Sequence, residues 1–241
     1  MAASESSLKG RKDPQISAND LALYMVSSAT AQLSIIRRNK YPSKHVVSPY
    51  QDVKRRLTSF LSSDARDRTT LASAIDYYAQ IEGDPSMPTS KVEDARLSKA
   101  ALEAFFGAYN ALDLGKMAFS EPPRGLGPLM ISGVKVTTTL DLLTSAQVKG
   151  VEHGGGAILR LTRAEDGDAA KDRRDRMGAY VAALVFLQIE DKMPRKLPTL
   201  PRICLSIDVQ HQKKYEARAG SRRITDLTSA CSMISSVWAT V

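Results

Sequence analysis

Between Leu129 and Thr162 the chain reads LMISGVKVTTTLDLLTSAQVKGVEHGGGAILRLT, a run dense in β-branched residues and broken by glycine. Such a run suits the pleated, half-buried surface of a sheet. It predicts two or three consecutive strands. The first is a long one over Leu129–Leu143, kinked at Gly133; a turn at Lys149–Gly150 follows, and an apolar strand covers Ala157–Leu161. The glycines Gly154–Gly156 read as a β-turn, because neither Lys-Ser/Thr nor a helix start follows them as a phosphate loop requires.

A sheet needs covering, and the flanking sequence supplies helices. Residues 1–15 read as a disordered tail. Ser17 followed by Asp20 resembles a capping box that opens a helix through Leu21, Met25, Ala29, Leu33 and Ile36, closed by Arg37, Arg38, Lys40 and then Pro42. A second helix starts near Ser48-Pro49 and buries Val53, Leu57, Phe60 and Leu61; a third covers Asp67–Ile81. Ser90 with Glu93 starts a long fourth, reaching about Leu112. After the β-rich run, Arg176–Glu190 is a helix apolar on most faces, Arg202–Gln210 a buried strand and Arg222–Ala239 a last amphipathic helix. The expected fold is α+β: a central mixed sheet (meander, crossover helix, further strand) flanked by helices. A disordered tail (1–15) and a helical lobe (16–115) precede an α/β core (120–241), packed with the lobe as one globular unit.

Charge is distributed unevenly. The formal net charge is +8, yet residues 1–60 hold ten Lys/Arg against four Asp/Glu, and residues 192–223 hold nine against two. Two basic zones around an acidic middle point to positive faces that could meet a polyanion. The first supplies Arg37, Arg38, Lys40, Arg55 and Arg56 as candidate phosphate contacts; the second supplies Lys213, Lys214, Arg222 and Arg223. The last two sit where a helix N-terminus is already positive, a cost that an anionic partner would offset. Cys204 and Cys231 lack metal or redox spacing and read as buried, reduced thiols of a cytoplasmic protein without a secretory signal. The most apolar helix, Met177–Ile189, is too short to span a bilayer, so no membrane role is expected. His45, His153 and His211 are scattered without metal spacing.

The order helix, β-meander, helix, strand, helix resembles that of the PD-(D/E)XK nuclease superfamily. SGVKVTTTLDLL reaches an acidic residue before hydrophobics, and GGGAILRLT follows a glycine-marked hairpin. The resemblance covers roughly residues 90–241 and implies Mg²⁺ held by a carboxylate on one strand and a carboxylate-x-Lys on the next. Asp141 matches the first carboxylate and would be the metal ligand. The second position reads Ala157-Ile158-Leu159, or Ile158-Leu159-Arg160 one residue on, so the implied site is degenerate. Arg160 can grip a phosphate but cannot act as a base. Glu103 and Glu152 are the acids left to join Asp141 in catalysis. The kinship requires residues 129–162 to pair within one sheet.

Three functions compete at this level. The first is a protein associated with DNA or RNA that has a nuclease-like fold without cleavage. The second is an active Mg²⁺-dependent nuclease with migrated ligands. The third is a protein-interaction module whose basic zones meet an acidic partner.

Overall fold

A computed structural model describes residues 10–43, 50–161, 167–193, 197–220 and 222–241. The chain opens with strand β1 (Gln15–Ser17), helix α1 (Ala18–Met25) and helix α2 (Ala29–Lys40). Helices α3 (Gln51–Ser62), α4 (Arg68–Gly83) and α5 (Thr89–Ala108) follow. Strands β2 (Ala118–Ser120), β3 (Leu129–Ile131), β4 (Val134–Thr137), β5 (Leu142–Val148) and β6 (Val151–Arg160) lead to the long helix α6 (Asp168–Lys192). Strands β7 (Leu205–Asp208) and β8 (Lys213–Glu216) and helix α7 (Arg222–Val237) complete it.

The main sheet has five strands in the order β2-β5-β6-β7-β8. β2, β5 and β6 form an antiparallel meander, α6 crosses over, and β7 returns parallel to β6. This is the mixed α+β sheet flanked by helices that the sequence leads one to expect, but its first strand is not. Residues 129–137 leave this sheet: β3 and β4 form a hairpin, and β4 pairs in parallel with β1 in a separate three-stranded sheet. The single long strand over Leu129–Leu143 is therefore corrected to two, and Gly133 is a turn residue, not a kink. Ser132 and Gly133 both have positive φ (45° and 79°), as do Lys149 and Gly150 (51° and 79°) at the β5–β6 turn. Two left-handed residues in succession are what a tight two-residue hairpin demands. The requirement that 129–162 pair within one sheet is not met, and the nuclease kinship loses that support.

Gly154–Gly156 do not turn either; they lie inside β6. A Cβ at Gly155 would stand 2.5 Å from the Ile203 carbonyl oxygen and 2.7 Å from Thr144 Oγ1, and one at Gly156 3.1 Å from Ile189. Close packing on both faces, not chain reversal, excludes side chains there.

The main sheet is covered on both faces. Leu142, Ala157, Leu159, Leu205 and Ile207 pack beneath α3, α4 and α5. Ile158 and Cys204 face α6, α1 and α7 on the other side. The helical lobe is thus α3–α5 alone; the 16–115 boundary does not hold, since α1 and α2 join the opposite layer. Ser17 does cap α1, its Oγ accepting from the Asp20 N–H at 3.1 Å. The helix stops at Met25 because Ser27 Oγ and Gln32 Nε2 donate to the Leu23 and Tyr24 carbonyls, so one expected helix becomes two. The described part of the tail is tied down: the Arg11 N–H donates to the Lys40 carbonyl and Trp238 Nε1 to the Arg11 carbonyl. Residues 1–9, His45 and the Ser48-Pro49 start lie outside the described residues. No helix among the described residues is long and apolar enough to cross a membrane.

Candidate functional site

Asp141 precedes β5 and extends its ladder. Its N–H donates to the Ala157 carbonyl at 2.9 Å, and its Oδ2 accepts the Leu159 N–H at 2.8 Å. Its Oδ1 lies 2.9 Å from Lys54 Nζ on α3, the carboxylate being only 8% exposed and the lysine 36%. Burial pushes the carboxyl above its usual value, opposed by Lys54 and the Leu159 N–H. The group brackets the helical lobe to the sheet, and both oxygens are engaged.

The other candidate acids do not join it. Glu152 is exposed on β6, seven residues before Leu159, which at strand rise is about 23 Å away. Glu103 is exposed on α5, where Lys99 feels its charge. Among the described residues no three His, Cys, Asp or Glu side chains gather to hold a metal ion. The proposed catalytic set of Asp141, Glu103 and Glu152, with Mg²⁺ on Asp141, is therefore not assembled. Ala157 and Leu159, where the carboxylate-x-Lys would stand, are core residues.

Arg160 needs the same correction as a phosphate contact. It ends β6 opposite Asp208 of β7, their side chains 1% and 0% exposed and 3.7 Å apart. Asp208 Oδ1 also meets His211 Nδ1 at 2.8 Å. Arg160 balances a buried carboxylate and does not reach the surface. The signal available in the sequence was Asp208 itself, an acid inside a strand otherwise fit for complete burial.

The first basic zone is mostly occupied. Arg38 pairs with Asp20, and Lys40 Nζ donates to the Trp238 carbonyl at 2.7 Å, capping the end of α7. Arg55 and Arg56 both bind Asp52, at 2.5 and 2.7 Å, and Arg56 lies over the Tyr77 and Tyr78 rings. Arg37 is exposed on α2, one turn before Lys40, whose Nζ reaches the tail of α7, roughly 24 Å from the head of that sixteen-residue helix.

The second zone converges. Lys213 and Lys214 of β8, Arg202 before β7, Arg218 after β8 and Arg223 at the head of α7 surround a groove of about 520 Å³, with Asp175 and Glu216 as its acids. Arg223 also borders a smaller cleft of about 280 Å³ with Arg176, Arg222 and Asp226. No protein-family model, curated protein or solved structure matches the chain. The groove must therefore be read from its own chemistry.

Its floor is built by contact. A Cβ at Gly178 would stand 2.3 Å from the Tyr215 ring, so only glycine lets α6 seat on it. Tyr215 Oη donates to Asp175 Oδ1 at 2.7 Å, and Lys213 Nζ lies 2.6 Å from Oδ2. Burial raises the Asp175 carboxyl, but the hydrogen bonds from Lys213 and Tyr215 outweigh it and hold the group below its usual value. Lys213 is thus spent on Asp175, and Lys214 lies 3.5 Å from Glu216. Arg222 pairs loosely with Asp226 at 3.7 Å. Arg202, Arg218 and Arg223 have no ion-pair partner among the described residues. Sequence reasoning missed Arg202 at the groove and Arg176 at the smaller cleft, each an isolated cation until the fold brings it beside the 213–223 cluster.

Proposed function

We propose that this chain binds the phosphate backbone of nucleic acid in the groove between β8, α6 and the head of α7, without cleaving it. The observation that carries the reading is the convergence of Arg202, Lys213, Lys214, Arg218 and Arg223, from four separate segments, on one concavity. Five cations face two acids there, and Arg202, Arg218 and Arg223 have no ion-pair partner among the described residues. Arg222 and Arg223 stand in the first turn of α7, against its positive end. Bound phosphate oxygens would offset both the crowding and the dipole, and guanidinium groups grip them in pairs. The expectation that cleavage is missing draws support from Asp141, whose oxygens are committed to Lys54 and Leu159, and from Glu152, a strand's length away. The reading rests on the groove and not on the nuclease resemblance.

Fluorescence anisotropy with a labelled duplex and a labelled single strand tests it. About four phosphate contacts give a slope of log K against log salt near −3.6 on duplex, roughly a hundredfold loss between about 50 and 200 mM salt. The pair of changes Arg218→Ala and Arg223→Ala should flatten that slope by about 1.8. Arg37→Ala, on α2 toward the far end of α7, should leave it unchanged. No binding at low salt, or an unaltered slope in the double variant, refutes the proposal. Binding to acidic protein that nucleic acid fails to displace would favour the interaction-module reading.

A further inference from the structure

Beyond the groove, the opposite end of α6 carries a second concavity of contrary character. A cavity of about 520 Å³ lies between β6, β5, the end of α6 and the connector at 197–200. Its walls are largely apolar, with Ile189, Met193, Leu197 and Leu143, and hydroxyls enter from Ser120, Ser145 and Thr199. Gly154 and Gly155 offer bare backbone. That backbone is fixed: Gly154 N–H donates to the Pro198 carbonyl and its carbonyl accepts from Leu200 N–H, both at 3.0 Å. A Cβ at Gly154 would come within 3.3 Å of Leu197 Cβ, so the glycine is what lets the connector close over it.

Two carboxylates, Glu152 and Glu190, line this cavity, and no described lysine or arginine does. Neither carboxylate has an ion-pair or hydrogen-bond partner among the described residues; the neighbouring Asp191 is the one that takes Lys192. Glu190 also stands in the last turn of α6, where the helix end is already negative. In a chain of net charge +8 these two exposed acids thus stand without a counter-charge among the described residues, at the edge of an apolar concavity. The volume suits a small organic molecule.

We propose that this cavity binds a small organic ammonium ion with an apolar body, its nitrogen between Glu152 and Glu190 and its hydrocarbon or aromatic part against Ile189, Met193 and Leu197. The charge selects the cation and the walls exclude a bare, fully hydrated one. The site is independent of the basic groove and does not rest on the nucleic-acid reading.

Titration calorimetry and methyl-detected NMR on the full chain test it with phenethylammonium as probe, phenethyl alcohol as neutral analogue and phenylacetate as anion. The expected result is saturable binding of the amine that shifts the Ile189 and Met193 methyl signals, about tenfold tighter than the alcohol, with phenylacetate weaker still. The double variant Glu152→Gln, Glu190→Gln changes two exposed side chains and should keep the fold, losing about tenfold in amine affinity while binding the alcohol as before. The proposal is overturned by an amine that does not bind at millimolar concentration. It is equally overturned by an alcohol that binds as tightly, or by a double variant with unchanged amine affinity.

Discussion

Replacing Asp141 separates a structural acid from a catalytic one. In Asp141→Ala the Leu159 N–H, inside a buried strand, loses its acceptor, and an unmade buried hydrogen bond costs about 1–3 kcal/mol. The lost pair with Lys54 adds at most about 1 kcal/mol, because the lysine is 36% exposed. Relief of the buried charge offsets part of this, so the net loss should be about 2 kcal/mol, or roughly 4–8 °C in Tm for a chain of this size. Asp141→Asn keeps a side-chain oxygen for Leu159 and should lie within about 1 kcal/mol of the parent. The pH dependence has a definite sign. The folded carboxyl holds its proton more tightly than the unfolded one, so its contribution is most favourable in acid. It is lost as pH rises from the ordinary carboxylate value, about 3.9, through the higher folded value. The difference in unfolding free energy between Asp141→Asn and the parent, measured in urea, should therefore move in favour of Asn between about pH 4 and pH 7. Equal destabilisation by Asn and Ala, or movement in the opposite direction, would refute the assignment.

Two further outcomes follow from buried groups. Arg160→Ala leaves Asp208 buried with only His211 beside it and should cost about 3 kcal/mol or more by urea denaturation, with no change in the salt slope of nucleic-acid binding. A changed slope with intact stability would return Arg160 to the surface role. Burial pushes the Cys204 and Cys231 thiols up to about 12 each, so neither should react with Ellman's reagent at about pH 8 until denaturant is added; rapid reaction of the native protein would contradict their placement.

What could be read in the sequence was local. Ser17 before Asp20 marks a helix start by itself, Lys149-Gly150 marks a hairpin, and the largely apolar run Arg202–Gln210 declares a buried strand. The division of 129–143 could not be read this way. The turn at Ser132-Gly133 divides it, but its removal from the main sheet involves Gln15–Ser17, three residues far off in the chain, adding to β4 in parallel. No local pattern announces such a pairing. Arg160 misled for a related reason: in a strand buried on both faces, alternation no longer tells a solvent-facing residue from an inward one. The basic cluster at 213–223 was visible as charge density. Its completion by Arg202, and the placing of Glu152 and Glu190 on one cavity, required the crossover geometry.

That geometry links the two proposed sites through one helix. Asp175 at the groove and Glu190 at the cavity are fifteen residues apart on α6, about 23 Å along its axis. The last turn of α6, its negative end, borders the acidic cavity, whereas the groove meets the helix at Asp175 and Ala179, two to three turns inside it and beyond the reach of its positive end. The termini of α6 themselves carry complementary charges, Asp168 in the first turn and Lys192 in the last. Asp175, beside the groove, is consumed by Lys213 and Tyr215, while Glu190 has no ion-pair partner among the described residues. Glu190, set against the negative end of α6, costs free energy in the empty protein that a bound cation would recover, while at the groove an anion would offset the crowded cations. The same arithmetic predicts reciprocal independence. At about 23 Å, well beyond a Debye length of roughly 8 Å at physiological salt, occupancy of one site should leave affinity at the other unchanged through the solvent. Any coupling seen between them would have to pass through the seating of α6 on Tyr215 at Gly178.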